Sequence, residues 1–273
     1  NLKLKKLQAI ELEILKQTIC ICERHRIPYF LLGGSALGAV RHSGFIPWDD
    51  DIDIGMPRPD YENFLSLAQA ELGPDLFLQI HETDSSYPMS FAKIRNSKTT
   101  FIQSSVFHLG MNHGVFIDIF PLDGYSFNKL QRIINTLFFK IYRASILNKL
   151  GVKNRMFGIH FLISIYAVFF SLPRLRDKLE RLMKKKDYEK SDVVINWNGS
   201  WGLKEAVPKD FFKSGSRMKF EGITVTIPSN YDGYLKSLYG DYMTPPPMEK
   251  RISHHFTDVI DLENSYTKHI GGH

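Results

Sequence analysis

Apolar residues return every third or fourth position near the start of the chain: Leu4, Leu7, Ile10, Ile14 and Leu15, with Glu11, Glu13 and Lys16 between them. This spacing predicts an amphipathic helix over residues 4–26, ended by Pro28. The short apolar run from Tyr29 to Leu32 predicts a strand, closed by Gly33-Gly34, after which Ser35 can cap a helix that stops near Gly44. Ile52 and Ile54 alternate with Asp51 and Asp53, so a strand here turns the isoleucines to one face and the carboxylates to the other. A helix over 60–72 and strands over 77–81, 90–95, 99–103 and 115–120 follow from the same periodicities.

Beyond residue 127 the pattern changes. Three helices are expected, over 128–150, 156–172 and 174–188, then a hairpin of 217–220 with 223–227 around Glu221-Gly222, and a helix over 231–239 stopped by Gly240. There is no internal repeat and no low-complexity tract. The expected fold class is α+β, a mixed β-sheet core flanked by helices. The expected divisions are a catalytic core over 1–127, a helical insertion over 128–190, and a C-terminal part over 191–270 that completes the site.

With 43% hydrophobic and 23% charged residues among 273, the chain lies in the globular range, which excludes a disordered or fibrous protein. Its net charge of +6 is unevenly spread: residues 129–190 hold fifteen Lys and Arg against four Asp and Glu, a net +11 that leaves the remainder at −5. A basic block on an acidic body points to a polyanionic partner for the block. Cys20 and Cys22 are too few for a disulfide framework or a four-ligand zinc site, and favour a reducing compartment. The first residues mix charges with apolar positions and do not read as a secretory signal. Residues 156–173 contain no Lys, Arg, Asp or Glu but are diluted by Gly158, His160, Ser164, Ser171 and Pro173, and both flanks are basic. They are expected to lie along an anionic membrane surface, with Phe157, Phe161, Phe169 and Phe170 in lipid and Lys184 to Lys186 at the head groups.

The chemistry concentrates between Gly33 and Gly55. Two aspartates at i and i+2 of a strand, Asp51 and Asp53, favour a bridging cation, and oxygen-only ligands suit Mg²⁺ or Mn²⁺. Gly33, Gly34 and Ser35 open a helix and can present backbone N–H groups to a phosphate. Asp118 is the sole charge in an apolar run from Val115 to Phe120, which is costly unless it meets a cation, and it is the expected third carboxylate. Lys93 and Arg95, also at i and i+2, would bring two cations to phosphate oxygens.

These residues, with the run from Arg41-His42 through Gly44-Phe45-Ile46-Pro47-Trp48 to Asp53, Phe120-Pro121-Leu122-Asp123, Tyr239-Gly240-Asp241-Tyr242, Pro245-Pro246-Pro247 and His254-His255, resemble the LicD-type phosphotransferases. That family includes relatives of fukutin-related protein and lies in the nucleotidyltransferase-fold superfamily, so the resemblance implies a nucleotidyltransferase-like core. It implies Asp51 and Asp53 as the metal pair and Asp118 as the third carboxylate. It implies transfer of an alcohol phosphate from a CDP-activated donor, CDP-choline foremost, to a sugar hydroxyl of a cell-surface glycan or teichoic acid precursor, with release of CMP. Arg41, Lys93 and Arg95 would then face phosphates, His254 would join the substrate-binding set, and Trp48 or Trp197 would hold a choline ammonium. The cysteine-rich zinc element of fukutin-related protein cannot be built here from two cysteines. A lipid-linked sugar acceptor would place the enzyme in the bacterial cytoplasm, at the inner face of the membrane.

Two other readings use the same residues: transfer of a nucleotidyl group from an NTP to a small molecule, and a membrane-associated scaffold of the same fold without turnover. Four clustered carboxylates, Asp49, Asp50, Asp51 and Asp53, repel one another to no purpose in a scaffold. Nucleic-acid binding would fit the basic block, but the chain lacks an interleaved base-stacking module.

Overall fold

The computed structural model describes residues 2–126, 128–152, 168–252 and 257–270. Helix α1 (Leu2–His25) buries Leu7, Ile14, Leu15, Thr18 and Cys22 along one stripe, and Glu11 lies in that same stripe. The chain continues through β1 (Phe30–Leu31), α2 (Gly33–His42), β2 (Asp53–Pro57), α3 (Arg58–Glu71), β3 (Leu76–Gln79), β4 (Ala92–Asn96), β5 (Thr100–Gln103) and β6 (Val115–Tyr125). Helices α4 (Lys129–Lys149) and α5 (Leu172–Met183) follow, then β7 (Val193–Ile195), β8 (Ala206–Pro208), the β9 (Ser216–Phe220) and β10 (Ile223–Ile227) hairpin, α6 (Tyr231–Tyr239), β11 (Thr257–Asp261) and α7 (Thr267–Ile270).

The periodicities located most of these elements, and the departures have local causes. Ser35 does not cap α2: the N-cap is Leu32, and the Ser35 hydroxyl instead accepts a hydrogen bond from the Asp53 backbone N–H at 2.9 Å. Strand β2 starts at Asp53, so Asp51 precedes it, although Ile52 already accepts a bond from the Asp118 N–H and the in-out alternation reaches back to Asp51. Strand β6 runs to Tyr125, with all its residues buried. Helix α5 ends at Met183, earlier than expected, and Lys184 at its C-cap is bridged to Glu62 and Glu180. The short strands β7, β8 and β11 were not expected: β7 and β8 have three residues each, and Thr257–Asp261 shows no strict alternation of apolar and polar positions. The helix expected over 156–172 lies mostly outside the described residues.

Seven strands form one mixed sheet in the order β1-β2-β6-β4-β3, with β7 also pairing β6 and β8 pairing β7. Strands β2 and β6 are parallel, and the other pairings are antiparallel. One side of β6 is shared: its first half pairs with β4, and Asp123 to Tyr125 pair with β7. The chain therefore leaves the sheet after β6, forms α4 and α5, and returns beside the strand it left. A large apolar core packs α1, α2, α3 and the β9–β10 hairpin on the sheet. A second cluster, including Phe139, Ile146, Leu175, Leu179 and Trp197, holds α4 and α5 against β7.

Where β6 passes from β4 to β7, the Arg58 guanidinium clasps the wholly buried Asp123 carboxylate with bonds of 2.6 and 2.8 Å. Removing one partner leaves a buried charge without its counterion. Arg58→Met is expected to lose about 3–5 kcal/mol of stability in urea unfolding. The Arg58→Met/Asp123→Leu double variant should recover most of that loss.

Candidate active site

The sheet register gathers the chemistry into one line. Asp53 of β2 stands beside Asp118 of β6, Asp118 beside Lys93 of β4, and Lys93 beside Gln79 of β3. Adjacent positions in such a row put their side chains on the same face. Lys93 Nζ donates to Asp118 Oδ1 and lies 3.4 Å from the centre of the Phe116 ring. The row is buried on its Lys93 side and half-buried at Asp53.

Arg95 shares the face of Lys93, as the alternation predicts, but it is 1% exposed. Its guanidinium donates to Gln79 Oε1 and, at 2.7 Å, to the Gly114 carbonyl, and it packs over Phe116. The structure thus brings Lys93 to the aspartates and places Arg95 beneath, bonded to protein.

The glycine turn closes on the row from above. Gly33 adopts φ +48°, a conformation that favours glycine, and its N–H donates to the Tyr234 hydroxyl at 3.0 Å. A Cβ on Gly34 would stand 2.7 Å from Asp49 Oδ2, so only glycine lets that carboxylate rest on the first turn of α2. Here the positive end of the helix faces a negative group, in a helix with no side-chain cap. Asp49 is buried and shares a side-chain hydrogen bond with Asp51. Two ionised carboxylates cannot make that contact, and a shared proton or a cation relieves it.

Glu11 was read as a polar position of α1. It is instead 1% exposed, and its Oε2 has no hydrogen-bond partner among the described residues. One turn earlier, Gln8 bonds to the Asp49 carbonyl at 2.8 Å, so this face of α1 lies on the aspartate loop. Burial, and then the charges of Asp51, Asp50, Asp49 and Asp118, hold Glu11 well above the usual carboxylate range. Asp49 and Asp53 are raised likewise, by burial first and neighbouring aspartates second, while burial lowers Lys93 to about 8 against the opposing pull of Asp118.

Six carboxyl groups, Glu11, Asp49, Asp50, Asp51, Asp53 and Asp118, thus crowd near one another, with Lys93 bonded to Asp118 and acting also on Asp53. This is an oxygen-only donor set with excess negative charge, and it fits Mg²⁺ or Mn²⁺ in chemistry. Among the described residues no three His, Cys, Asp or Glu side chains stand close enough around one point to hold an ion as placed, so binding requires the carboxylates to draw together.

The C-terminal part supplies the other wall. Arg41, in the last turn of α2, donates to the Tyr242 carbonyl at 2.7 Å, and Arg251 lies over the half-buried Trp48 ring at 5.3 Å. Tyr239 packs edge-on to Trp201 at 5.0 Å and would lie 3.6 Å from a Cβ on Gly33. Sequence periodicity gave no signal for Trp201 or Tyr239 as site residues, because the chain brings them back from more than 150 positions away. Trp197 is not at the site: it is buried in the second cluster, stacked on Phe139 at 5.1 Å. His254 lies outside the described residues.

A family profile described as LicD/FKTN/FKRP, nucleotidyltransferase domain, matches residues 26–140, the stretch that holds every member of the aspartate row. The lipopolysaccharide cholinephosphotransferase LicD of Haemophilus influenzae is 30% identical over 285 aligned positions, spanning 96% of this chain and 99% of that protein. The chain belongs to the LicD family. Its core is accordingly a nucleotidyltransferase-like α+β fold. Human ribitol 5-phosphate transferase FKRP is 41% identical over 61 residues, 22% of this chain and 12% of FKRP, and mouse ribitol-5-phosphate transferase FKTN is 34% identical over 65 residues, 24% of this chain and 14% of FKTN.

An acid whose pKa is higher in the folded than in the unfolded state binds more protons when folded, so its contribution to stability is lost as pH rises. Chelator-treated protein is therefore expected to lose stability from the ordinary carboxylate range, 3.8 for Asp and 4.5 for Glu, towards neutrality. Glu11→Gln keeps the shape and removes one charge. At neutral pH in chelator its Tm should rise by roughly 2–4 °C for each kcal/mol recovered, and its pH profile should flatten. Thermal unfolding at several pH values checks both.

Proposed function

We infer that this LicD-family chain is a phosphotransferase that moves an alcohol phosphate onto a glycan hydroxyl. The observation that carries the reading is the Asp53–Asp118–Lys93 row under the glycine turn of α2. The relative spanning almost the whole chain is named for cholinephosphate transfer to lipopolysaccharide, which favours phosphocholine from CDP-choline as the group carried. The acceptor is a sugar of a bacterial lipopolysaccharide, teichoic acid or other cell-surface precursor.

In this reading the donor diphosphate lies at the turn of Gly33, Gly34 and Ser35. Asp51, Asp53 and Asp118 would hold Mg²⁺ or Mn²⁺, whose charge offsets that of the diphosphate. Asp118 takes the proton of the acceptor hydroxyl. The freed oxygen bonds to the phosphorus of phosphocholine as the bond from that phosphorus to the CMP oxygen breaks, and CMP leaves in line. Lys93, fixed between Asp118 and the Phe116 ring, keeps Asp118 oriented and supplies positive charge beside the transferred phosphoryl group. Arg95 supports Lys93 from below through Phe116. Arg41 and Trp48 line the wall nearest the C-terminal part, where the alcohol end of the donor is expected.

Offering CDP-choline, CDP-ribitol and CDP-glycerol with Mg²⁺ or Mn²⁺ and an acceptor glycan, and measuring CMP, tests the reaction and its donor. Release of pyrophosphate from an NTP, without CMP from any of the three donors, would replace it with nucleotidyl transfer. Asp51→Asn and Asp53→Asn are expected to leave no more than a few per cent of CMP release with the fold intact, and chelation should do the same to the wild type. Asp118→Asn is expected to lower kcat by about 10²-fold or more while donor affinity falls much less, because proton transfer is its main part. Kinetics beside calorimetric titration with donor separates the two.

A further inference from the structure

Helix α4 is apolar on two opposite sides. Phe139, Tyr142 and Ile146 face inward, where Phe139 stacks on Trp197 and the helix packs against α5. On the other side Leu130, Ile133, Ile134, Leu137 and Phe138 are exposed by 67, 63, 42, 49 and 42%. Their spacing at i, i+3, i+4, i+7 and i+8 gathers them, at about 100° per residue, into one stripe roughly 140° wide. Lys129 and Lys140, both exposed, border one edge of it. From Lys129 to Lys149 the helix holds five Lys and Arg and no Asp or Glu.

A protein surface seldom leaves so many large side chains of one helix face in water without a use. The stripe contains no polar side chain to give directional recognition, one of its edges is basic and neither carries an acid, and the inward face is locked by aromatic packing, so the helix cannot roll to hide it. No helix among the described residues is long and apolar enough to cross a membrane. A helix fixed to its domain by one side, with long aliphatic and aromatic side chains on the other and cations at the edge, is suited to an anionic lipid surface.

We propose that α4 docks this protein on anionic membranes, with Leu130, Ile133, Ile134, Leu137 and Phe138 entering the acyl boundary and Lys129 and Lys140 meeting the head groups. This relocates the contact expected from the sequence. Phe157 and Phe161 lie outside the described residues, Phe170 packs on the second cluster under Lys178, and Lys184 is bridged to Glu62 and Glu180. Of the four phenylalanines, Phe169 alone is seen exposed, at 74%, among the described residues.

The test is co-sedimentation of the purified chain with phosphatidylcholine vesicles and with vesicles containing phosphatidylglycerol, across salt concentrations. Binding is expected to the anionic vesicles and to weaken with salt. Ile133→Glu/Leu137→Glu should reduce it at least tenfold at every salt concentration, while Lys129→Gln/Lys140→Gln should reduce it about fivefold per lysine at low salt. Turnover of a water-soluble acceptor should be unchanged in both variants, which separates failure here from failure of the catalytic assignment. Lys184→Gln/Lys185→Gln/Lys186→Gln should bind nearly as wild type. The proposal is overturned if the wild type binds neither vesicle, if the lysine triple variant loses binding while the α4 variants keep it, or if Ile133→Glu/Leu137→Glu only converts a dimer to a monomer in light scattering.

Discussion

Everything at this site follows from the crowding of like charge behind the first turn of α2. Carboxyl groups of Glu11, Asp49, Asp51 and Asp53 are held close enough that burial and mutual repulsion together keep several of them far from their solution pKa values. Such a cluster persists only if the surrounding fold is stiff enough to bear it and if function uses it. The parallel β2/β6 pair meets the first condition: it is the central pairing of the sheet, covered by α1 and α3, and its register leaves Asp53 and Asp118 no alternative to standing side by side.

The fold offsets the repulsion locally. Lys93 reaches Asp118 across β4, the amino end of α2 meets Asp49 through Gly34, and the Asp53 backbone is tied to the Ser35 hydroxyl. None of these removes the excess negative charge. Glu11 adds to it from a helix face that otherwise buries mainly apolar side chains, and its Oε2 finds no hydrogen-bond partner among the described residues.

The helical excursion is anchored differently. It leaves and rejoins the sheet through adjacent antiparallel strands, and the Arg58–Asp123 clasp sits at that junction. The excursion is therefore fixed relative to the Asp53–Asp118–Lys93 row even though it forms its own apolar cluster. On the proposed reading, an active site on the sheet and a membrane-docking α4 carried by the same strand would keep a fixed relation to each other, which would suit an acceptor sugar borne on a lipid.

Much of this could be read along the chain. The Asp51–Asp53 alternation, the glycine turn and the lone charge of Asp118 are local patterns, and local patterns survive folding because backbone geometry sets which neighbours share a face. The basic block was equally plain, since charge needs only counting. Tertiary structure alone decided the rest. Glu11 looks like a solvated helix position until α1 is seen to lie on the aspartate loop, and Arg95 looks like a second phosphate ligand until Gln79 and Gly114 are found holding it. Trp197 and Trp201 cannot be told apart by sequence, yet one is core and the other stands by the glycine turn. The two-sided apolarity of α4 hid its exposed stripe, because periodicity shows that a face is apolar but not which face the fold will cover.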